Sequence, residues 1–361
     1  MEEDYLYSQK IDHQVLNGIA DPIRVLDSDE RVIFVNEAME KTLGYDRKNL
    51  LCDIDESIFN PDITRSVLRT GEVVQREEII KDTIYSVKCS PVLGQKGQII
   101  GVVEVFRNVT VERRLQREII ERNRFMVRET MAASQIQKTV LPDKGFIKNL
   151  KIDYIYKPSN MLSGDMFDVF EINEDNIAVY ISDSVGHGFA ASMVTMFIKS
   201  LIRTLTIFIL LSPSKTLDAI SNRFSLLKLD IENYFTCFYG VFNIKKGIFT
   251  YANAGHLPLP LKVSEKIEYL HAEGNPISRF FKSAKYKEEN SKFYAGDKIL
   301  FMTDGVSESR NLEGEVYGLK RPEEIMLEND IDELSILKDN LLSFTNITQT
   351  DDISVLLLSV W

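Results

Sequence analysis

Four short acidic motifs in the second half of the chain constrain it more than any other feature: SGDMFD (Ser163 to Asp168), DSVGHG (Asp183 to Gly188), TDG (Thr303 to Gly305) and TDD (Thr350 to Asp352). They lie too far apart in sequence to share one loop. Carboxylates delivered from separate strand ends are how a fold assembles a polynuclear centre for hard divalent cations. If the four converge, the expected chemistry is metal-assisted hydrolysis. Taken singly, an Asp at a strand end is more often a turn former or a helix cap.

The 361 residues, 44% of them hydrophobic, suit two medium-sized domains, each with its own core. A formal net charge of −11 argues against a nucleic-acid partner, which would draw on clustered Lys and Arg. Cys52, Cys89 and Cys237 are widely spaced, with neither zinc nor dithiol spacing, and read as reduced, semi-buried residues of a cytosolic protein. The start MEEDYLYSQK lacks the basic and apolar regions of a signal peptide. The most apolar run, Leu201 to Leu211, contains Arg203 and is about half of the ~20 residues that span a bilayer. A cytoplasmic location without a membrane segment is therefore expected.

From Gln14 to Thr110, β-rich runs alternate with turn signals. IRVLD and RVIFVN form one hairpin around Asp27 to Glu30, and TIYSVKCSPVLG and IIGVVEVFRNVT form a second around QKGQ. NEAMEKTLGYDRKNL and SIFNPDITRSVLRTGE between them read as short amphipathic helices. Two strands, several short helices and three strands predict an antiparallel sheet with helices on one side. With Val25-Leu26-Asp27, Val35-Asn36-Glu37-Ala38, Leu43-Gly44-Tyr45 and Gly101 to Val105 followed by Asn108-Val109-Thr110 in order, the segment resembles a PAS sensor domain. PAS domains often enclose a cofactor, and none is expected here. His13, ahead of the first strand, is the segment's one histidine, which leaves the haem-ligand position unfilled. Cys52 reads as a small core residue rather than a flavin-reactive thiol.

Residues 111–141 lack Pro and Gly and are rich in Arg and Glu. Val111, Leu115, Ile119, Arg122, Met126, Glu129, Ala133, Ile136 and Val140 follow a near-heptad seam with two polar insertions. A parallel dimeric coiled coil joining two domains is the sharper expectation, and a single amphipathic helix packed on its own domain is the plainer one. Arg122 and Glu129 would weaken such a seam, which suits an element that shifts.

From Leu141-Pro142 onward the expected strands are KIDYIYKPS, DVFEI, IAVYISD, the pair within FTCFYGVFNIKKGIFTYANAGH, KIEYLHAEG, YAGDKILFMTDG and DISVLLLSVW. Long helices are expected at ASMVTMFIKSLIRTLTIFIL, at SKTLDAISNRFSLLKLDI and near RPEEIMLENDIDELSILKDNLLSF. Two antiparallel sheets flanked by helix pairs would place the acidic strand ends at one edge. Six motifs in order carry a further likeness: Ile136-Gln137 with Leu141-Pro142, Gly164-Asp165 with Asp168, Asp183 to Gly188, Asn253-Ala254-Gly255-His256, Thr303 to Val306 with Glu308, and Asp351-Asp352. Through them the chain closely resembles the SpoIIE-like branch of the PPM-type serine/threonine protein phosphatases, from Ala133 to Trp361. The expected fold is α+β and multidomain: a PAS domain over residues 1–110, a coiled-coil linker over 111–141 and a PPM-type α/β sandwich over 142–361.

The resemblance implies that Asp183, Asp304 and Asp351 bind a first Mn²⁺ or Mg²⁺, that Asp183 bridges to a second ion, and that Asp165 completes the second through waters. Oxygen donors suit such ions better than zinc. Ser184 stands where the family usually has Gly or Val, and its backbone carbonyl is expected to coordinate. Asp352 competes with Asp351 for the ligand role, Asp351 being favoured because ISVLLL follows the pair. Asp168 is expected to hold its loop by a supporting bond. His187 reads as a packing or hydrogen-bonding residue more than a general acid, and His256 as a structural cap. No Arg near the first acidic motif offers a phosphate clamp, so docking falls to a protein partner.

SGDMF is one residue from the diguanylate cyclase signature, but Met166 cannot hold Mg²⁺. A histidine kinase is disfavoured because residues 111–141 contain no His. The resemblance implies a phosphorylated STAS-domain anti-anti-sigma factor as substrate and homodimerisation through the PAS domain and residues 111–141. The rival is a phosphatase-like fold that only docks its partner.

Overall fold

The computed structural model describes residues 14–44, 59, 61–186, 188–227, 234–281, 285–328, 332–345, 349 and 351–361. His13, Cys52, His187 and Thr350 lie outside them. The chain divides into two compact units, Met1–Phe125 and Met126–Trp361.

The first unit is built on strands β1 (Ile23–Asp27), β2 (Val32–Val35), β3 (Val74–Ile80), β4 (Thr83–Leu93) and β5 (Ile99–Asn108), antiparallel in the order β2-β1-β5-β4-β3. Helices α1 (Glu37–Leu43) and α2 (Pro61–Thr70) lie between β2 and β3 in sequence. Asn36 caps α1 by accepting from the Met39 N–H, and Gly44 ends it with a left-handed φ of 71°. Met39, Leu43, Ile63 and Val67 from the helices pack with Val87, Val102 and Phe106 from the sheet. The Arg24 guanidinium bonds Glu104 at 2.7 Å and stacks over Phe59, and Thr64 donates to the same carboxylate at 2.6 Å, so this buried charge is matched.

Helix α3 (Thr110–Thr139) crosses the division between the units as one 30-residue element. Its apolar seam residues Val111, Leu115, Ile119, Met126 and Ile136 are exposed. Its last turn belongs to the second unit: Gln137 is buried there, and Val140 and Leu141 just beyond the helix pack on that unit's core.

The second unit holds two antiparallel sheets. One runs β15-β11-β10-β9-β8, with β14 beside β10; its members are β8 (Asp165–Asn173), β9 (Asn176–Ser184), β10 (Tyr234–Asn243), β11 (Ile248–Ala254), β14 (Ile277–Ser278) and β15 (Glu289–Lys292). The other runs β13-β12-β16-β17-β7-β6, from β6 (Gly145–Ile147), β7 (Leu150–Lys157), β12 (Leu261–Val263), β13 (Ile267–Tyr269), β16 (Lys298–Met302) and β17 (Ile353–Val360). Strand alternation sorts the side chains into layers. Phe167, Val179, Phe238, Phe301 and Leu356 meet between the sheets. Met166, Tyr180 and Tyr239 face helices α4 (Phe189–Arg203), α5 (Ile207–Leu210) and α6 (Pro213–Ser225). Leu300, Met302 and Val355 face α8 (Lys320–Glu328) and α9 (Glu333–Thr345), which follow the short α7 (Asp304–Ser307). The result is a four-layered sandwich of helices, two sheets and helices.

Three expected elements differ. ASMVTMFIKSLIRTLTIFIL is two helices, because Thr204 closes α4 with its hydroxyl on the Leu201 carbonyl and Thr206 is extended. The stretch around RPEEIMLENDIDELSILKDNLLSF also splits, and Asp332, just ahead of α9, takes a positive φ of 59°. The strand expected at DVFEI begins three residues earlier, at Asp165.

Candidate active site

Asp165 at the start of β8 and Asp183 near the end of β9 are direct cross-strand partners. Both share parity with the inter-sheet residues of their strands, so both carboxylates lie on the inner face at one sheet end. Thr303, at the end of β16 in the facing sheet, donates its hydroxyl to Asp165 Oδ2 at 2.8 Å and thereby ties the sheets together. Asp304 follows as the first residue of α7, and Gly305 comes next because a Cβ there would stand 2.0 Å from the Asp352 carbonyl oxygen.

The two neighbouring acids of the last motif behave differently. Asp352 is 2% exposed and accepts from the Ser159 and Gly164 N–H groups, both at 2.6 Å, closing the loop ahead of β8. Asp351 is exposed, with one oxygen taking the Asp352 N–H at 2.8 Å. Asp352 is thus committed to backbone, while Asp351 keeps acceptor capacity for a ligand.

Electrostatics join the acids into one group. Burial, and then the charge of Asp183, push the Asp165 carboxyl well above the usual carboxylate range. Burial with Asp304 and Asp351 pushes Asp183 up to about 8, and burial with Asp351 and Glu308 pushes Asp304 up to about 6. Among the described residues no Lys or Arg pairs with Asp165, Asp183, Asp304 or Asp351. Nor do three carboxylate, thiol or imidazole side chains among them close into a ready-made cage. Mutually repelling carboxylates, gathered and without a cation of their own, fit hard divalent ions held partly through water. The Ser184 hydroxyl is engaged within the chain, 3.2 Å from the Gly164 and Ala191 carbonyls, so the side chain is not offered to a ligand.

Two expected helpers sit elsewhere or do more than expected. Asp168 does not hold the loop of the acidic motif. It is three residues from Asp165, so it faces the helix side of the sheet and bonds Lys199 at 2.9 Å and Arg203 at 2.8 Å, pinning α4 to β8. His256 is fully buried, and burial lowers its pKa to about 4. Its Nε2 lies 3.2 Å from the Met302 carbonyl, which can only accept, so Nε2 carries the proton and Nδ1 takes the Thr236 hydroxyl at 3.2 Å. Thr236 is the cross-strand partner of Asp183. His256 therefore braces the strand ends ahead of Asp304 and beside Asp183, while Asn253 Oδ1 fixes its own N–H at 2.8 Å.

Thr303, Thr236 and Gln137 were given no role by sequence reasoning. Thr303 and Gln137 do stand inside motifs singled out there; Thr236 carries no such signal.

The family described as Stage II sporulation protein E (SpoIIE) matches residues 173–361, and the PAS fold matches residues 16–114. Phosphoserine phosphatase RsbP of Bacillus subtilis is 30% identical over 183 residues, 50% of this chain and 45% of RsbP. Phosphoserine phosphatase RsbU of the same organism is 29% identical over 239 residues, 64% of this chain and 69% of RsbU. The chain thus spans less than half the length of RsbP. The SiaA-PP2C domain of Pseudomonas aeruginosa superimposes with a TM-score of 0.57 at 15% identity, covering 66% of this chain and 98% of that one, which shows a shared fold.

Proposed function

The chain belongs to the Stage II sporulation protein E family, and from that premise we propose that it is a metal-dependent protein phosphatase acting on phosphoserine or phosphothreonine. The observation that carries this reading is the group of Asp165, Asp183, Asp304 and Asp351 at one end of the sandwich, with which no Lys or Arg pairs among the described residues. Asp183, Asp304 and Asp351, with the Ser184 carbonyl, would hold one Mn²⁺ or Mg²⁺, and Asp183 and Asp165 a second. Bound divalent ions would supply the Lewis acidity that activates a water for in-line attack on phosphorus. The chain's own residues then do the positioning. Thr303 orients Asp165, Asp352 closes the loop ahead of it, and His256 braces the strand ends from below. No cysteine is needed as a nucleophile: burial raises the thiol pKa of Cys237, a residue of the helix-side core.

The proposed substrate is a phosphorylated STAS-domain protein of a partner-switching pathway, a reading supported by the likeness to RsbP and RsbU. The PAS unit is proposed to act on the site through α3, and the exposed seam Val111, Leu115, Ile119 and Met126 supports pairing of two copies along it. Among the described residues no helix is long and apolar enough to cross a membrane.

Phosphate release from an aryl phosphate and a phosphoserine protein, with Mn²⁺ and with chelator, tests the proposal against Asp304→Asn. Activity lost both in the variant and with chelator is expected. Wild-type inactivity toward both substrates with metal present would favour a docking role.

A further inference from the structure

Strand β6 covers only part of the outer edge of β7, pairing Gly145 to Ile147 with Leu150 to Ile152. Beyond that, Asp153 to Lys157 have β17 on one side and no strand on the other among the described residues. A groove of about 690 Å³ runs along this open edge, between it, the end of α3 and helix α9. All five residues from Asp153 to Lys157 line it, those pointing to one face of the sheet and those pointing to the other alike. That is the signature of a groove beside an edge rather than over a face. Apolar side chains of the adjoining core, Leu334, Leu341 and Ile353, supply its floor.

The rim is cationic in a chain that is acidic as a whole. Lys138, Lys144, Lys157 and Lys338 surround the groove, and the one acid lining it, Asp153, is engaged by Lys144 at 2.7 Å. Among the described residues Lys138, Lys157 and Lys338 have no ion-pair partner. Unpaired lysines beside a sheet edge discourage pairing with neutral or basic strands and admit an acidic one.

We propose that this groove takes an extended acidic segment of a partner protein, which adds to β7 as a further strand and places its carboxylates on Lys138, Lys157 and Lys338. Backbone pairing at Tyr154 and Tyr156 supplies the register, the incoming strand taking over the Tyr154 N–H that Asp153 Oδ1 holds at 2.8 Å, and the apolar floor takes the alternate side chains. The same segment touches Leu141, just past the last turn of α3, so its binding meets the helix where it enters the second unit.

The test uses the whole chain and fluorescein-labelled decapeptides alternating Glu with Val or Lys with Val. The Glu/Val peptide is expected to bind saturably and to protect the Tyr154 and Tyr156 amides from hydrogen exchange. Combined Lys138→Glu, Lys157→Glu and Lys338→Glu should weaken it by about tenfold or more, three screened contacts being lost, with an unchanged melting temperature. A Glu/Val peptide N-methylated at alternate residues should not bind. Equal binding of the Lys/Val peptide, indifference to charge reversal, or no saturation at millimolar peptide overturns the proposal. Retained binding of the N-methylated peptide overturns strand addition. Dissociation of a dimer by the triple variant, seen by sedimentation, assigns the groove to a second copy and overturns it equally.

Discussion

The side-chain amide of Gln137 and the backbone of Ser163 exchange two hydrogen bonds, Nε2 donating to the Ser163 carbonyl at 2.8 Å and the Ser163 N–H donating to Oε1 at 3.0 Å. Ser163 in turn accepts the Asp165 N–H on its hydroxyl at 3.0 Å, so the last turn of α3 is two bonds away from one of the four acids. Gln137→Leu strands two buried backbone groups, at a cost of about 1–3 kcal/mol. Turnover of an aryl phosphate should fall at least tenfold, with a melting temperature lower by a few degrees. A variant that melts lower yet turns over normally would show that the helix supports the fold without tuning the site.

Asp351 and Asp352 should separate cleanly. Asp352→Ala removes the acceptor of two N–H groups and is expected to destabilise the second unit by about 2–4 kcal/mol, because charge-assisted bonds to buried donors are lost together. Asp351→Ala is expected to leave the melting temperature in chelator unchanged or raised, since one of the repelling charges disappears. Its deficit should be in Mn²⁺ affinity, read by titration calorimetry. The opposite pattern would exchange their roles.

Metal-free stability should fall as pH rises. The Asp183 and Asp304 carboxyls are raised from an ordinary 3.8 to about 8 and about 6 in the folded chain. Between these limits the folded state binds more protons than the unfolded one, so the slope of unfolding free energy with pH is negative. In chelator the second unit should therefore melt higher at pH 6 than at pH 8. Added Mn²⁺, which binds the ionised acids, should stabilise more at pH 8 and reduce or invert that difference. Equal melting temperatures at both pH values in chelator would count against mutual repulsion in the site.

Gly305→Ala is expected to abolish aryl phosphate turnover and weaken Mn²⁺ binding. Its Cβ would meet the Asp352 carbonyl oxygen at 2.0 Å and force Asp304 and the last motif apart. Full activity in this variant would mean that α7 moves without disturbing the acids.

Much of this molecule was legible in the order of its residues. Strand alternation and the turn before Arg31 are local properties that anticipated the α+β class and an antiparallel front sheet, and the order of the motifs carried the resemblance to a PAS domain and to a phosphatase sandwich behind it. The split of Ala191–Leu210 into two helices was not legible, since its apolar pattern is continuous and only the packing of Leu205 and Leu210 into the core shows where the chain turns. The division of labour within the last acidic pair was legible only as a preference.

What the sequence by itself determined was which chemistry was available: oxygen donors in four short motifs, and an unbroken helix leading into them. What only the tertiary structure decided was how each group is spent. Asp352 meets the N–H groups of Ser159 and Gly164 across separations of 193 and 188 residues, and Asp165 meets Thr303 across 138. No local pattern encodes such contacts, because they form only when two sheets close on a shared core and bring strand ends distant in sequence to one edge.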